Sequence, residues 1–423
     1  MDKLVIDGGV RLKGDVRVSG SKNSVLPILA ATLLTDEPCV VRNVPGLRDT
    51  NTMVKILRSL GKNAELNKGV VSVVSSKNNS LPRWVADYKL VSTMRASFCV
   101  LGPLLGRFGE ARVSLPGGCV IGIRPVDLHL KGIKALGAAI SMDSGYVYAK
   151  AKQLKGSHVY LGGVYGSSVL ATGNVMMAAV LAKGKTVIES AACEPEVEDL
   201  ADFLIKMGAK IRGHGTPVIE VEGVKRLRGA EHSVIPDRIE AGTFMIAALV
   251  TRGDITIKNM VPRHMGALVD KLEEAGASLV KSADSMRVCY KKQLKPVNVS
   301  TLPYPGFPTD MQAQLMSLMS ITPGISIITE KIYPDRFMHV AELNRMGALI
   351  QREGPHAIVS GVKKLSGAPV MASDLRASAC LVLAGLAASG KTSISRIYHL
   401  ERGYENIERK LEGLGAKIWR EKE

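Results

Sequence analysis

Aromatic residues are scarce, at 4% of 423, and the lysines and arginines nowhere gather into a run or interleave with aromatic rings. These absences count against a dedicated nucleic-acid-binding protein, which needs a stacking platform or a basic tract. No uninterrupted apolar stretch reaches the roughly 18 residues of a membrane-spanning helix. Met1-Asp2-Lys3 carries charge where a secretory leader would need a long apolar run, so the expected compartment is the cytoplasm. The six cysteines (Cys39, Cys99, Cys119, Cys193, Cys289 and Cys380) stand singly, with no CxxC pair and no zinc-like Cys/His spacing. Reduced thiols and no structural metal are expected.

What is present is apolar bulk and positive charge. A 46% hydrophobic content can bury large cores, and a chain of this length should divide them between two domains. The net charge of +17 attracts polyanions or small phosphorylated substrates and does not by itself choose among them.

A glycine signal recurs six times, each time closing a helical pattern and opening a strand: Leu60-Gly61, Leu136-Gly137-Ala138, Met207-Gly208-Ala209, Ala275-Gly276-Ala277, Met346-Gly347-Ala348 and Leu414-Gly415-Ala416. By subtraction, successive glycines lie 76, 71, 68, 71 and 68 residues apart. A period near seventy held this often marks a structural repeat. Upstream, Gly109, Gly184, Gly253, Gly324 and Gly390 each separate an apolar helix from a β-branched strand, so each unit reads helix, strand, helix, strand, strand. Three units precede residue 236 and three follow it, which predicts two similar α/β domains facing each other across a cleft.

The repeat also explains a false motif. Gly385 to Thr392 matches the phosphate-loop pattern GxxxxGK[ST], but that chemistry needs a strand before the loop and a helix after it. Here a small-residue helix comes first and the strand Ser393-Ile394-Ser395 follows.

Four of the six first helices begin with a cation: Lys22, Arg95, Arg238 and Arg376. A helix N-terminus is already positive, so each should cost about 0.3 to 1 kcal/mol unless an anion compensates. Either local acids such as Asp237 and Asp374 pair with these cations, or the helix starts together form a site for phosphate and carboxylate groups. Asp310 has a structural explanation as well, because Thr309 and Gln312 flank it in a capping-box pattern. Arg336, His339 and Arg402 follow strands in turn-like sequence, where functional residues concentrate.

Leu115-Pro116-Gly117-Gly118-Cys119, followed closely by Arg124, sets one thiol in a glycine loop beside a guanidinium. Such a cysteine suits a proton donor acting on an anion, although a lone cysteine is commonly just a small buried hydrophobe.

The segments around Lys22-Asn23, Met94 to Ser97, Leu115 to Cys119, Arg124 to Leu128, Phe307 to Gln312, Arg336 to His339, Asp374 to Ser378 and Arg402 to Tyr404 carry a resemblance that runs essentially end to end. Along them the chain resembles the UDP-N-acetylglucosamine 1-carboxyvinyltransferases, enolpyruvyl transferases that open peptidoglycan synthesis. The resemblance implies a two-domain inside-out α/β barrel of six β-α-β-α-β-β repeats. Its expected lobes are residues 22–235 and residues 1–21 with 236–423, with the active site in the cleft between them. It implies transfer of the enolpyruvyl group of phosphoenolpyruvate to the 3-hydroxyl of UDP-N-acetylglucosamine through a tetrahedral intermediate, with no cofactor or metal. By the same resemblance Cys119, the thiol that fosfomycin alkylates in the family, protonates the methylene carbon, and Asp310 takes the sugar hydroxyl proton. Lys22 and Arg402 complete the catalytic set. Lys22, Asn23, Arg124, Arg376 and Arg402 are expected to hold phosphoenolpyruvate. Asn23, Arg95, Arg124, Pro125, Val126, Asp127, Leu128, Asp310 and Ile332 are expected to hold the UDP-sugar.

One segment departs from the family: Gly163-Val164-Tyr165-Gly166-Ser167 stands where a diphosphate-facing lysine is usual, and Arg48 replaces a lysine of some members. A shikimate-pathway enolpyruvyl transferase is the nearest alternative, but it lacks the cysteine loop. A non-catalytic paralogue binding RNA or another polyanion is a second. Neither a nucleic-acid nor a membrane partner is expected, and a monomer is the default.

Overall fold

A computed structural model describes residues 2–76, 84–117 and 126–422. The chain divides into two compact units: one takes residues 2–19 with 236–422, the other the described residues between 20 and 235. Each unit is α/β and holds three four-stranded sheets.

The six sheets share one strand order. In the first repeat Cys39–Arg42 lies beside Val70–Ser75, which lies beside Lys62–Asn67, all antiparallel, and Glu231–Ser233 adds in parallel to the free edge of Cys39–Arg42. The other five repeats reproduce this arrangement, each with a parallel edge strand. In the sixth repeat one strand comes from far earlier in the sequence: Asp2–Asp7 inserts between Lys391–Ser395 and Lys417–Lys422.

The glycine signal has a backbone cause. Gly61, Gly137, Gly208, Gly276, Gly347 and Gly415 all have φ between 85° and 101°, a left-handed conformation that costs side-chain-bearing residues energy and lets the outer helix turn directly into a strand.

Two kinds of helix follow from two hydrophobic patterns. Lys22–Ala31 and Val169–Ala179 in one unit, and Arg238–Val250, Gln312–Ser320 and Leu375–Ala387 in the other, keep no exposed polar face and are buried along nearly their whole lengths. Arg48–Ser59, Asp127–Ala135, Pro195–Lys206 and Gly266–Glu274 are less completely buried, each keeping an exposed polar face. The buried helices pack on one another at the centre of each unit and the sheets lie outside them, giving an inside-out arrangement. The helix Leu375–Ala387 precedes the strand Lys391–Ser395, so the phosphate-loop-like string joins helix to strand, the reverse of a nucleotide-binding turn.

Candidate active site

In the unit that contains residues 236–422, the cations at two helix starts divide the work with neighbouring acids. Asp374 accepts from the backbone N–H groups of Arg376 (2.9 Å) and Ala377 (3.2 Å), and Asp237 accepts from Ile239 (2.8 Å) and Glu240 (3.0 Å). These local acids therefore cap the helix backbones. The Arg376 guanidinium reaches elsewhere, donating from Nη2 to Asp310 Oδ2 at 2.8 Å and from Nη1 to the Tyr404 hydroxyl at 3.2 Å. Arg238 lies over the Tyr304 ring, 5.6 Å from its centroid.

Asp310 is held from two sides, because Arg336 Nη1 stands 2.8 Å from its Oδ1. Both arginines are buried and a quarter of the Asp310 side chain is exposed (26%). Burial pushes the Asp310 carboxyl up, but the Arg376 and Arg336 charges outweigh it and hold the group well below the ordinary carboxylate range. The expected capping box does not form. The Thr309 hydroxyl donates to Glu330 Oε2 (2.8 Å) and accepts from Arg336 Nη1 (2.9 Å), while the Gln312 side chain makes no hydrogen bond among the described residues. A buried carboxylate 21 residues along the chain outcompetes the helix backbone for this hydroxyl.

Sequence reasoning misses Glu330, since Thr329-Glu330-Lys331 reads as ordinary surface sequence. It is fully buried and its Oε1 accepts from the Thr301 hydroxyl (2.6 Å) and from the N–H groups of Ile332 (2.9 Å) and Tyr333 (3.0 Å). These bonds fix the turn that carries Ile332 and leads into Arg336. The Tyr404 hydroxyl lies 2.9 Å from Thr243 Oγ1 and accepts from Gln314 Nε2 (3.3 Å), so the tyrosine that backs Arg376 is itself fixed. His339 has no partner for Nε2 among the described residues. Burial pushes its imidazole down to about 4; Asp374 opposes the shift and Arg336 adds to it. Arg402 ends the short helix Ile397–Arg402, and after burial its charge is the main influence lowering His399.

The other unit holds Lys22, Asn23, Arg95, Val126, Asp127 and Leu128. Lys22 occupies the first position of Lys22–Ala31, and its Nζ lies 2.8 Å from Oδ2 of Asp49, an acid buried in the first turn of Arg48–Ser59. The compensating anion is thus 27 residues away in sequence. Arg95 opens the short helix Arg95–Val100. Val126 caps Asp127–Ala135, and Asp127 and Leu128 stand in its first turn. That turn is anchored by Asn174, whose Nδ2 donates to His129 Nδ1 (2.9 Å) and to the Phe98 carbonyl (3.0 Å). The divergent Gly163 to Ser167 segment closes on itself: Gly163 and Gly166 exchange backbone hydrogen bonds of 2.9 and 3.1 Å, leaving Val164 and Tyr165 at an exposed tip.

Cys119, Arg124 and Pro125 lie outside the described residues. Gly117, two residues before the cysteine, does not: a Cβ there would fall 2.0 Å from the Ser92 carbonyl oxygen, so the start of the loop passes too close to another backbone for any side chain. Among the described residues no cluster of His, Cys, Asp or Glu has a metal-binding arrangement, and no helix is long and apolar enough to cross a membrane.

Similarity to known proteins runs along the whole chain. The sequence profile of EPSP synthase (3-phosphoshikimate 1-carboxyvinyltransferase) matches residues 6–411. UDP-N-acetylglucosamine 1-carboxyvinyltransferase of Myxococcus xanthus is 56% identical over 422 residues, covering 100% of both chains. The protein of the same name from Geobacter metallireducens is 56% identical over 423 residues, again with 100% coverage of both. Among solved structures, the enolpyruvyl transferase NikO of Streptomyces tendae superposes with a TM-score of 0.88 at 26% identity, covering 99% of this chain and 98% of its own. EPSP synthase of Acinetobacter baumannii shares the fold, with a TM-score of 0.74 at 19% identity over 100% of each chain.

Proposed function

The chain belongs to the EPSP synthase family of carboxyvinyltransferases, and from that premise we infer that it transfers the enolpyruvyl group of phosphoenolpyruvate to the 3-hydroxyl of UDP-N-acetylglucosamine, releasing phosphate. The observation that carries the choice of acceptor is end-to-end likeness to enzymes named for that sugar nucleotide, at an identity far above the likeness to EPSP synthase structures. The product is the enolpyruvyl sugar nucleotide of peptidoglycan synthesis.

In the addition step the sugar O3 bonds to C2 of phosphoenolpyruvate, the hydroxyl proton leaves to Asp310, and the Cys119 thiol gives a proton to C3. The tetrahedral adduct then loses phosphate and a C3 proton, which restores the double bond in the product. Lys22, Arg124 and Arg402 hold the phosphate and carboxylate of phosphoenolpyruvate, with Asn23 beside Lys22 and Arg376 toward the carboxylate. Arg95, Arg124, Pro125, Val126, Asp127, Leu128 and Ile332, together with Asn23 and Asp310, take the sugar nucleotide.

The clamp on Asp310 sets a condition on this chemistry. A carboxylate held far below its ordinary range is a poor base, so the group accepts a proton well only once a guanidinium turns away from it. An incoming carboxylate competing for Arg376 supplies that release, and basicity appears when the second substrate is in place. The working chain acts in the cytoplasm and uses no nucleic acid and no cofactor, with a monomer as the default state.

Phosphate release tests the assignment. The wild-type chain should release phosphate with UDP-N-acetylglucosamine and not with shikimate 3-phosphate; the opposite preference would overturn the reading. Cys119→Ala should lose most turnover, while Cys119→Asp should retain it and resist fosfomycin. Full turnover in the alanine variant would remove the thiol from the mechanism.

A further inference from the structure

The helix that begins at Lys22 has neither a side-chain cap nor an acid in its first turn, yet it starts with a cation. Asp49 answers the lysine side chain. A second buried carboxylate, Asp199 on Pro195–Lys206, answers the helix itself. Its Oδ2 accepts from the hydroxyl of Ser24, in the first turn of the same helix, and from the Ile235 N–H at 3.2 Å. Its Oδ1 lies 2.8 Å from His232 Nε2, and His232 Nδ1 lies 3.1 Å from Lys206 Nζ. Ser24, Asp199 and His232 are all buried.

The proton positions follow from the donors. A lysine ammonium only donates, so Nδ1 of His232 accepts and Nε2 carries the hydrogen toward Asp199. Asp199 thereby receives three donors, and the lysine charge reaches it through the imidazole. The ring is packed edge-on against Phe203, with centroids 5.6 Å apart, so the relay cannot swing freely. A buried carboxylate with this many partners is a fixed point, and the hydroxyl it grips is two residues from Lys22.

We propose that Asp199, held in place by His232 and Lys206, is a positioning residue for phosphoenolpyruvate binding: through Ser24 it fixes the first turn of Lys22–Ala31 and hence the direction of the Lys22 ammonium. The proposal rests on Lys22 holding phosphoenolpyruvate. Uncompensated displacement of a binding group by a fraction of an ångström is enough to weaken that substrate's binding, and Asn23, in the same turn, passes a smaller share of the effect to the sugar nucleotide.

Steady-state kinetics of Asp199→Asn and Ser24→Ala, with folding checked by thermal midpoint, test it. Both should raise KM for phosphoenolpyruvate roughly tenfold and, because Asn23 stands in the same turn, raise KM for UDP-N-acetylglucosamine by a distinctly smaller factor. His232→Gln, which keeps a donor for Asp199, should stay near wild type, and His232→Phe should behave like Asp199→Asn. Should Asp199→Asn fail to fold, Ser24→Ala decides alone. A wild-type KM for phosphoenolpyruvate in the folded variants, or a rise in KM for UDP-N-acetylglucosamine as large as that for phosphoenolpyruvate, overturns the positioning role. Wild-type phosphoenolpyruvate affinity in Lys22→Ala would instead overturn the premise about Lys22.

Discussion

Acid should weaken the unit that contains His339 through that one buried imidazole. In the folded chain burial holds this imidazole down at about 4, while in the unfolded chain it titrates at its ordinary value of about 6.5. Well above pH 6.5 neither state takes the proton and the fold keeps its full stability. As pH falls from 6.5 toward 4, only the unfolded chain gains the proton, so stability is lost across that window. Linkage between those two values gives a loss of about 2 to 3 kcal/mol on going from about pH 7.5 to about pH 4.5. His399 is lowered by burial and the Arg402 charge and adds a loss of the same sign, whereas Glu240 is raised by burial and runs the other way. Asp310 titrates below the window. Comparing wild type with His339→Gln cancels these other groups. The two tryptophans offer a clean probe, since Trp419 belongs to this unit and Trp84 to the other. In a Trp84→Phe background, Trp419 fluorescence can follow urea unfolding at the two pH values. The acid-dependent loss should appear when His339 is present and shrink by that amount in the His339→Gln chain. An equal pH dependence in both chains would refute burial as the cause.

Two further outcomes follow from single contacts. Asp310→Asn leaves two buried guanidinium groups facing a neutral amide, so it should cost about 3 kcal/mol in the same unfolding assay as well as abolishing transfer; unchanged stability would show that the clamp is not a buried ion triad. Gly102→Ala places a Cβ 2.1 Å from the Asn174 backbone oxygen, which cannot move without displacing the Val169–Ala179 helix, so a loss of about 3 kcal/mol in stability or no folded protein is expected, and a wild-type thermal midpoint would contradict it.

The repeat was legible because its cause is local. A left-handed turn between an outer helix and a strand demands glycine wherever it occurs, so six copies of one backbone requirement leave six copies of one letter. The reversed phosphate-loop string was readable for the same reason, since helix-then-strand order shows in hydrophobic spacing. The charge pairing was not. Sequence left open whether the cations at helix starts pair with Asp237 and Asp374, and those acids turn out to spend oxygens on backbone N–H groups. The partners that Lys22 and Arg376 find, Asp49 and Asp310, come from other helices, 27 and 66 residues away. Thr309 shows the limit most clearly: its local pattern is a capping box, and it is overridden by Glu330, whose burial nothing in its neighbours announces. Segment-level chemistry at Asp310, Arg336, Arg376 and Arg402 could be seen in the sequence, while the geometry that makes Asp310 a reluctant base could not.

The insertion of Asp2–Asp7 between two strands from the far end of the chain has a consequence for biosynthesis. The three sheets of the unit built from the described residues between 20 and 235 need no strand made after Glu231–Ser233 and can form once it has left the ribosome. The strand Asp2–Asp7 has no such option, because its neighbours Lys391–Ser395 and Lys417–Lys422 are made hundreds of residues later. At about 5 to 20 residues per second it waits for tens of seconds as an unpaired ribbon with apolar Leu4, Val5 and Ile6 uncovered. A nascent chain of this topology therefore has a built-in interval of vulnerability at that strand, and the charged Asp2, Lys3 and Asp7 that flank those three side chains are well placed to keep the ribbon from sticking to others.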